Sequence, residues 1–179
     1  HFVLAWHFPH AVQGACAARG VTAARHGHHY SRRFARAAEV ARYARDRFAD
    51  LAGKTRRFAG ALGEASLEGW KIDALTSQLS TLIKSSWWDE KGRFGIWEGL
   101  GCCGLQTTDV AHYACHPVAL FFPSLQRSQT DLTLANMPEP GRVPHLMPRT
   151  FECCNVDHHG RIDLAYQFIN MLWRDILWT

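Results

Sequence analysis

The sequence predicts a mostly helical protein, and three observations carry that reading. Apolar residues recur at steps of three and four over three long stretches. Prolines fall between those stretches or at a first turn, and turn-type residues such as Asp89 to Gly92 separate them. Only short segments alternate with the two-residue period of a strand. At 179 residues and 47% hydrophobic content the chain has material for a core, which excludes a disordered reading.

The first element is the exception to helix. Phe2 to Phe8 alternates loosely and reads as a strand stopped by Pro9. Gly, Ala and His then dominate as far as Tyr30, a loop composition. From Ser31 to Leu62 the apolar series is Phe34, Ala38, Ala41, Ala44, Phe48, Leu51, Phe58 and Leu62. This predicts an amphipathic helix weakened near Gly53, with Arg33, Arg36, Arg47 and Arg57 on its other face.

Ser66 is the expected N-cap of a second helix. Leu67, Leu75, Leu79, Leu82 and Ile83 are its expected buried stripe, and Trp87-Trp88 its end. Asp89-Glu90-Lys91-Gly92 reads as a turn and Phe94 to Ile96 as a short strand. A third helix is expected from Thr107-Thr108-Asp109, kinked by Pro117, with Pro123 in the first turn of its continuation. Residues 136–160 hold four prolines and read as a long loop, a length often associated with function. The last helix is expected over Ile162 to Trp178, burying Leu164, Phe168, Met171, Leu172 and Ile176.

Charge and cysteine content narrow the function classes. The net charge is +4, and the arginine-rich helix also carries Glu39, Asp46 and Asp50. Mixed signs mark a solvated face, so no nucleic-acid partner is called for. No apolar run approaches the ~20 residues of a membrane span, and no secretory signal opens the chain. The six cysteines include the adjacent pairs Cys102-Cys103 and Cys153-Cys154, which fit reduced thiols and a cytoplasmic protein. The first Met is Met137, so the chain reads as an internal piece of a longer protein.

The most specific segment is Gly92-Arg93-Phe94-Gly95-Ile96-Trp97-Glu98-Gly99, continued by Thr107-Thr108-Asp109-Val110 and His112-Tyr113. It resembles the nucleophile region of glycoside hydrolase family 116, which includes the non-lysosomal glucosylceramidase and bacterial β-glucosidases. In that family a Glu-Gly is followed, eleven residues after the Glu, by an Asp-Val. Leu4-Ala5-Trp6 with Phe8-Pro9 is similar to a family strand in which Asp stands at the place of His7. Tyr30 with Arg33-Phe34, and Asp163-Leu164 with Phe168 and Arg174-Asp175, resemble further family segments in the same order.

The resemblance implies an N-terminal β-sandwich followed by an (α/α)6 barrel. Residues 1–30 are then the end of the sandwich and a linker, and 31–179 the first barrel helices of a truncated domain. It implies a retaining β-glycosidase acting on a β-glucoside or related substrate, without metal or cofactor and with no stated oligomeric state. Glu98 is the implied nucleophile and Asp109 a carboxylate that accepts sugar hydroxyls. His145, in Val143-Pro144-His145, matches a sugar-binding Pro-His, with Leu146 at the place of the family's next Asp. The acid/base aspartate is implied beyond Thr179, so the 179 residues alone are expected to be inactive.

Each assignment has a plainer counterpart. Glu98 also fits a solvated turn residue, Asp109 a helix N-terminal charge worth ~0.3–1 kcal/mol, and His145 a surface loop residue. The alternative function is a structural zinc-binding helical module. It would use His112 and His116, four apart on one helical face, with the Cys pairs and His158-His159.

Overall fold

The computed structural model describes residues 2–12, 25–99, 104–147, 151 and 161–178, and these are mostly helical. The helices are α1 (Ala37–Asp46), α2 (Phe48–Gly63), α3 (Gly69–Ser77), α4 (Thr81–Lys84), α5 (Thr108–Ala114), α6 (His116–Phe121), α7 (Pro123–Ala135) and α8 (Leu164–Trp178). Two antiparallel pairs accompany them. β1 (Ala11–Val12) pairs with β2 (Arg25–His26), and β3 (Ser86–Trp88) with β4 (Phe94–Ile96). No helix among the described residues is long and apolar enough to cross a membrane.

Several expectations need correction. Phe2 to Phe8 is not a strand: the segment is held by side chains, with no ladder partner among the described residues. Tyr30 Oη accepts from Phe8 N at 2.7 Å and donates to Phe8 O at 3.0 Å, and the His7 ring meets Phe34 O. The helix expected over residues 31–62 begins as a 3-10 turn at His29–Arg32 and breaks at Arg47 (φ −108°, ψ 10°), while Gly53 stays helical. Glu68, not Ser66, precedes α3, and Ile83 is exposed. Trp87 and Trp88 do not end a helix; they form β3, where β-branched and aromatic side chains suit a half-buried pleat.

The hairpin and the helix breaks follow the sequence closely. Gly92 turns β3 into β4 at φ +87°, a conformation that a Cβ would oppose. Asp89, fully buried, fixes this turn: its carboxylate accepts from the backbone N–H of Lys91 and Arg93 and from Arg93 Nε. Pro117 and Pro123 each lie in the first turn of a helix, α6 and α7. There a missing N–H breaks no intrahelical bond.

Two apolar clusters surround the hairpin. Trp87, Leu105, Leu132, Met147 and Phe151 form one; Phe94, Ile96 and Val118 form the other, against Leu82, Phe122 and Leu125. Helix α8 buries Leu164, Phe168 and Met171 as expected, but Ile176 is exposed. Tyr166, Ile169, Trp173 and Ile176 leave an apolar stripe uncovered along its other side.

Arg174 docks α8 on the C-terminal end of α5. Its guanidinium donates to His112 O (3.1 and 3.2 Å), to Cys115 Sγ (2.7 Å) and to His116 Nε2 (2.7 Å). A cation suits the carbonyl end of a helix, where partial negative charge accumulates. Burial pushes the Cys115 thiol up to about 11, so it stays protonated beside the guanidinium. His112 is held below its ordinary range, first by burial and then by the charges of Arg174 and His116.

Met147 is fully buried between the hairpin and α7, so Met147→Ala is expected to lower unfolding free energy by about 2–5 kcal/mol in a denaturant titration. A histidine whose folded pKa is depressed contributes stability above its unfolded value of about 6.5, and loses it as pH falls through the folded value. Melting temperature is therefore expected to fall on acidification below pH ~6.5, with a shallower slope in His112→Gln.

Candidate functional site

The site grows from the end of β4. Beyond Ile96 the chain stays extended, and Trp97 pairs with Leu105 in an antiparallel bridge. Gln106 N donates to Ile96 O and Glu98 N to Gly104 O, both at 2.8 Å. A third segment joins on the other side, where Leu105 and Met147 exchange two backbone hydrogen bonds of 2.8 Å. Three stretches, 96–98, 104–106 and 145–147, thus lie side by side although the last is far away in sequence.

Gln106 then turns the chain sharply. Its φ of +52° is rare for a residue with a Cβ and costs of the order of 1–2 kcal/mol. The turn brings Thr107 to the N-cap of α5, with Asp109 in the first turn. Strain of this kind gathers at functional sites because the surrounding bonds over-determine it. Here Gln106 Oε1 accepts from Ile96 N at 3.3 Å.

The start of α5 is tied to the 144–147 segment. Thr108 N donates to His145 O, and Thr108 Oγ1 to Pro144 O, both at 2.7 Å. These bonds set the His145 ring beside the Asp109 carboxylate, with Nε2 to Oδ1 at 3.5 Å. His145 is therefore buried, not the exposed loop residue of its plainer reading. The other oxygen of Asp109 takes Arg161 Nη1 at 2.5 Å. Burial works to raise the Asp109 carboxyl, but the Arg161 hydrogen bond and charge, with His145, outweigh it and hold the group below the usual range.

Glu98 is half-buried at the strand end. Its Oε2 accepts from Thr107 Oγ1 at 3.3 Å. The carboxylate lies over Gly104, where an added Cβ would meet Glu98 Oε2 at 2.7 Å and Thr107 Oγ1 at 2.4 Å. Only glycine leaves that space open. Arg161 is held protonated first by its bond to Asp109, against burial, and by the neighbouring charges of Asp109, Asp163 and Glu98.

The three residues expected from sequence thus converge on one patch: Glu98 at the strand end, Asp109 and His145 at the start of α5. Sequence reasoning missed Gly104, Thr107 as a partner of Glu98, and Arg161. Thr107 carried a signal, its helix-starting position; Arg161 carried none, because its bond to Asp109 spans 52 residues. Chemically the patch offers one carboxylate beside a hydroxyl donor and a second between an imidazole and a guanidinium. Such groups exchange hydrogen bonds readily with a polyhydroxylated ligand.

The zinc alternative gains no geometry. His116 is engaged at both ring nitrogens, by Tyr113 O (2.8 Å) and Arg174 (2.7 Å). No group of three metal-binding side chains occurs among the described residues. Cys102, Cys103, Cys153, Cys154, His158 and His159 lie outside them. No family model, curated protein or solved structure matches the chain.

Gly104→Ala is expected to push the Glu98 carboxylate and the Thr107 hydroxyl apart. The measurement is the carboxyl carbon resonance of Glu98 in the variant, which should move while the fold, read by circular dichroism, is retained.

Proposed function

We propose that the chain carries the nucleophile side of a retaining β-glycosidase site, with Glu98 as nucleophile and Asp109 and His145 as sugar-binding groups. The observation that supports it best is the convergence of these residues. Glu98 and Asp109 are eleven positions apart and His145 a further thirty-six, yet all three meet where β4 ends and α5 begins. Residues with unrelated solvated roles have no reason to be joined by buried backbone bonds.

Each group has a part in such a reaction. The nucleophile attacks the anomeric carbon as a carboxylate, so it needs donors that favour the charged form. Thr107 supplies a hydroxyl, and the Arg161 cation lies within electrostatic reach. Asp109, kept ionised, accepts two sugar hydroxyls once Arg161 gives way, and His145 helps to orient it.

A retaining enzyme also needs an acid/base carboxyl ~5–5.5 Å from the nucleophile. On this reading it is an aspartate of a following segment in the parent enzyme. The helices of 31–179 are then the first of an (α/α)6 barrel, and residues 1–30 lead from a β-sandwich domain. The apolar stripe on α8 is consistent with a helix whose barrel neighbours come from elsewhere in the parent.

Incubation of the parent enzyme with a 2-fluoro β-glucoside is expected to add the sugar's mass to the peptide containing Glu98; a label on another carboxylate refutes the assignment. Glu98→Gln in the parent should lower kcat by about 10⁴-fold. The 179-residue chain alone should show no turnover of an aryl β-glucoside, because on this reading the acid/base carboxyl that protonates the leaving oxygen is not among its residues.

A further inference from the structure

A second site is written in the groove between the turn at residues 28–34 and the corner where α4 meets β3. It encloses about 840 Å³ and shares no residue with the Glu98 patch. That volume lies within the range of small-molecule pockets, roughly 300–1,000 Å³.

Its composition is divided. One wall is apolar, from Leu82 and Ile83, and its floor is aromatic. His29 lies flat on Trp88, with ring centroids 3.8 Å apart and planes 4° from parallel, and Trp88 remains 41% exposed. Arg32 and Arg33 line the groove too, and no Asp or Glu does so among the described residues.

The arginines are the informative part. Several guanidiniums of the chain pair with carboxylates: Arg36 with Glu39, Arg47 with Asp50, Arg93 with Asp89, Arg161 with Asp109. Arg33 instead lies over the rings of Tyr43 and Phe34, and neither it nor Arg32 forms an ion pair among the described residues. Two cations lining a groove that also has an aromatic floor, with no carboxylate among the described lining residues, define a ligand by elimination. A cation is repelled by them. A neutral apolar molecule leaves both charges without a counter-ion, and a bare inorganic anion leaves the aromatic floor and the Ile83 wall uncovered.

We infer that this groove binds an aromatic anion: a planar ring against Trp88 and Ile83, with a phosphate or carboxylate held by Arg32 and Arg33. The guanidinium fork matches either anionic group with two parallel hydrogen bonds. The inference stands independently of the glycosidase reading, since neither site uses the other's residues.

The test is calorimetric titration of the whole chain with 1-naphthyl phosphate, 1-naphthoate, 1-naphthol and inorganic phosphate. One naphthyl anion, or both, should bind with one-to-one stoichiometry, and the two together distinguish phosphate from carboxylate recognition. Naphthol and inorganic phosphate should each bind at least about tenfold more weakly, because each lacks one of the two contacts. Arg32→Gln, at an exposed residue whose side chain forms no hydrogen bond or ion pair among the described residues, should weaken the anion by about tenfold. Ile83→Glu places a negative charge on the wall at a residue that is 89% exposed, so it should abolish binding without unfolding the chain. Naphthol binding as well as its phosphate, or affinity unchanged in both variants, would overturn the inference. So would indole resonance shifts that spare Trp88.

Discussion

The paired backbone bonds between Leu105 and Met147 are the constraint on which the site depends. They close a loop of about forty residues, at an entropic cost of about 3 kcal/mol. Two hydrogen bonds contribute only about 1 kcal/mol each. The remainder comes from the side chains at the crossing: Leu105 and Met147 are fully shielded from water, and each contributes about 1.5–3 kcal/mol against Trp87, Leu132 and Phe151. Apolar packing therefore brings the 145–147 segment to the hairpin, and the hydrogen bonds then fix its register. One residue of slip would turn His145 away from Asp109.

The charges near Glu98 are arranged so that exchange is cheap. Asp109 and Arg161 are both partly open to water, and an ion pair of that kind contributes about 0–1 kcal/mol. A ligand hydroxyl that takes the place of Arg161 therefore displaces a weak bond. The helix position and the proposed binding role of Asp109 do not compete, because a carboxylate has two oxygens and several lone pairs. Thr107 combines its place at the start of α5 with a hydroxyl directed at Glu98. The same short segment thus starts a helix and supplies a donor to the candidate nucleophile.

Local chemistry was the legible part of the sequence. Gly92 at the turn, Pro117 at a helix break, Pro123 at a helix start, Thr107 at the head of α5 and the buried stripe Leu164-Phe168-Met171 all follow from one-residue or one-turn rules. What depended on distant partners was not legible. Phe2 to Phe8 has the pattern of a strand but no ladder to join among the described residues. Trp87 and Trp88 read as the end of a helix and form a strand because Phe94 to Ile96 lies antiparallel to them. Ile83 and Ile176 keep the helical period yet face solvent, since period fixes which residues share a face and not whether that face is covered. For the site, the positions of Glu98, Asp109 and His145 could be named, but Arg161 and the clearance over Gly104 exist only in three dimensions.

Helix α7 carries this point furthest, because its buried face is polar. Gln126, Gln129, Thr130, Thr133 and Asn136 follow the helical spacing and are all buried. A hydrophobicity pattern assigns such residues to the outside. Bonds to neighbouring elements account for Thr130 and Asn136. Thr130 donates to Asp175 of α8, Asn136 to Phe151 O, and Ser128, beside the stripe, accepts from Phe94 N. Each tie joins α7 to a different neighbour. Buried polar contacts add little net stability compared with well-packed apolar ones, but they reject other alignments, because a shifted register strands a polar group away from water. Apolar side chains hold α7 against β4 through Leu125 and against Trp87, Leu105 and Met147 through Leu132, while the Ser128 and Thr130 hydroxyls and the Asn136 amide set how far along it lies. Since β4 runs directly into Glu98, the position of the candidate nucleophile is fixed from behind by hydrogen bonds that hydropathy cannot register.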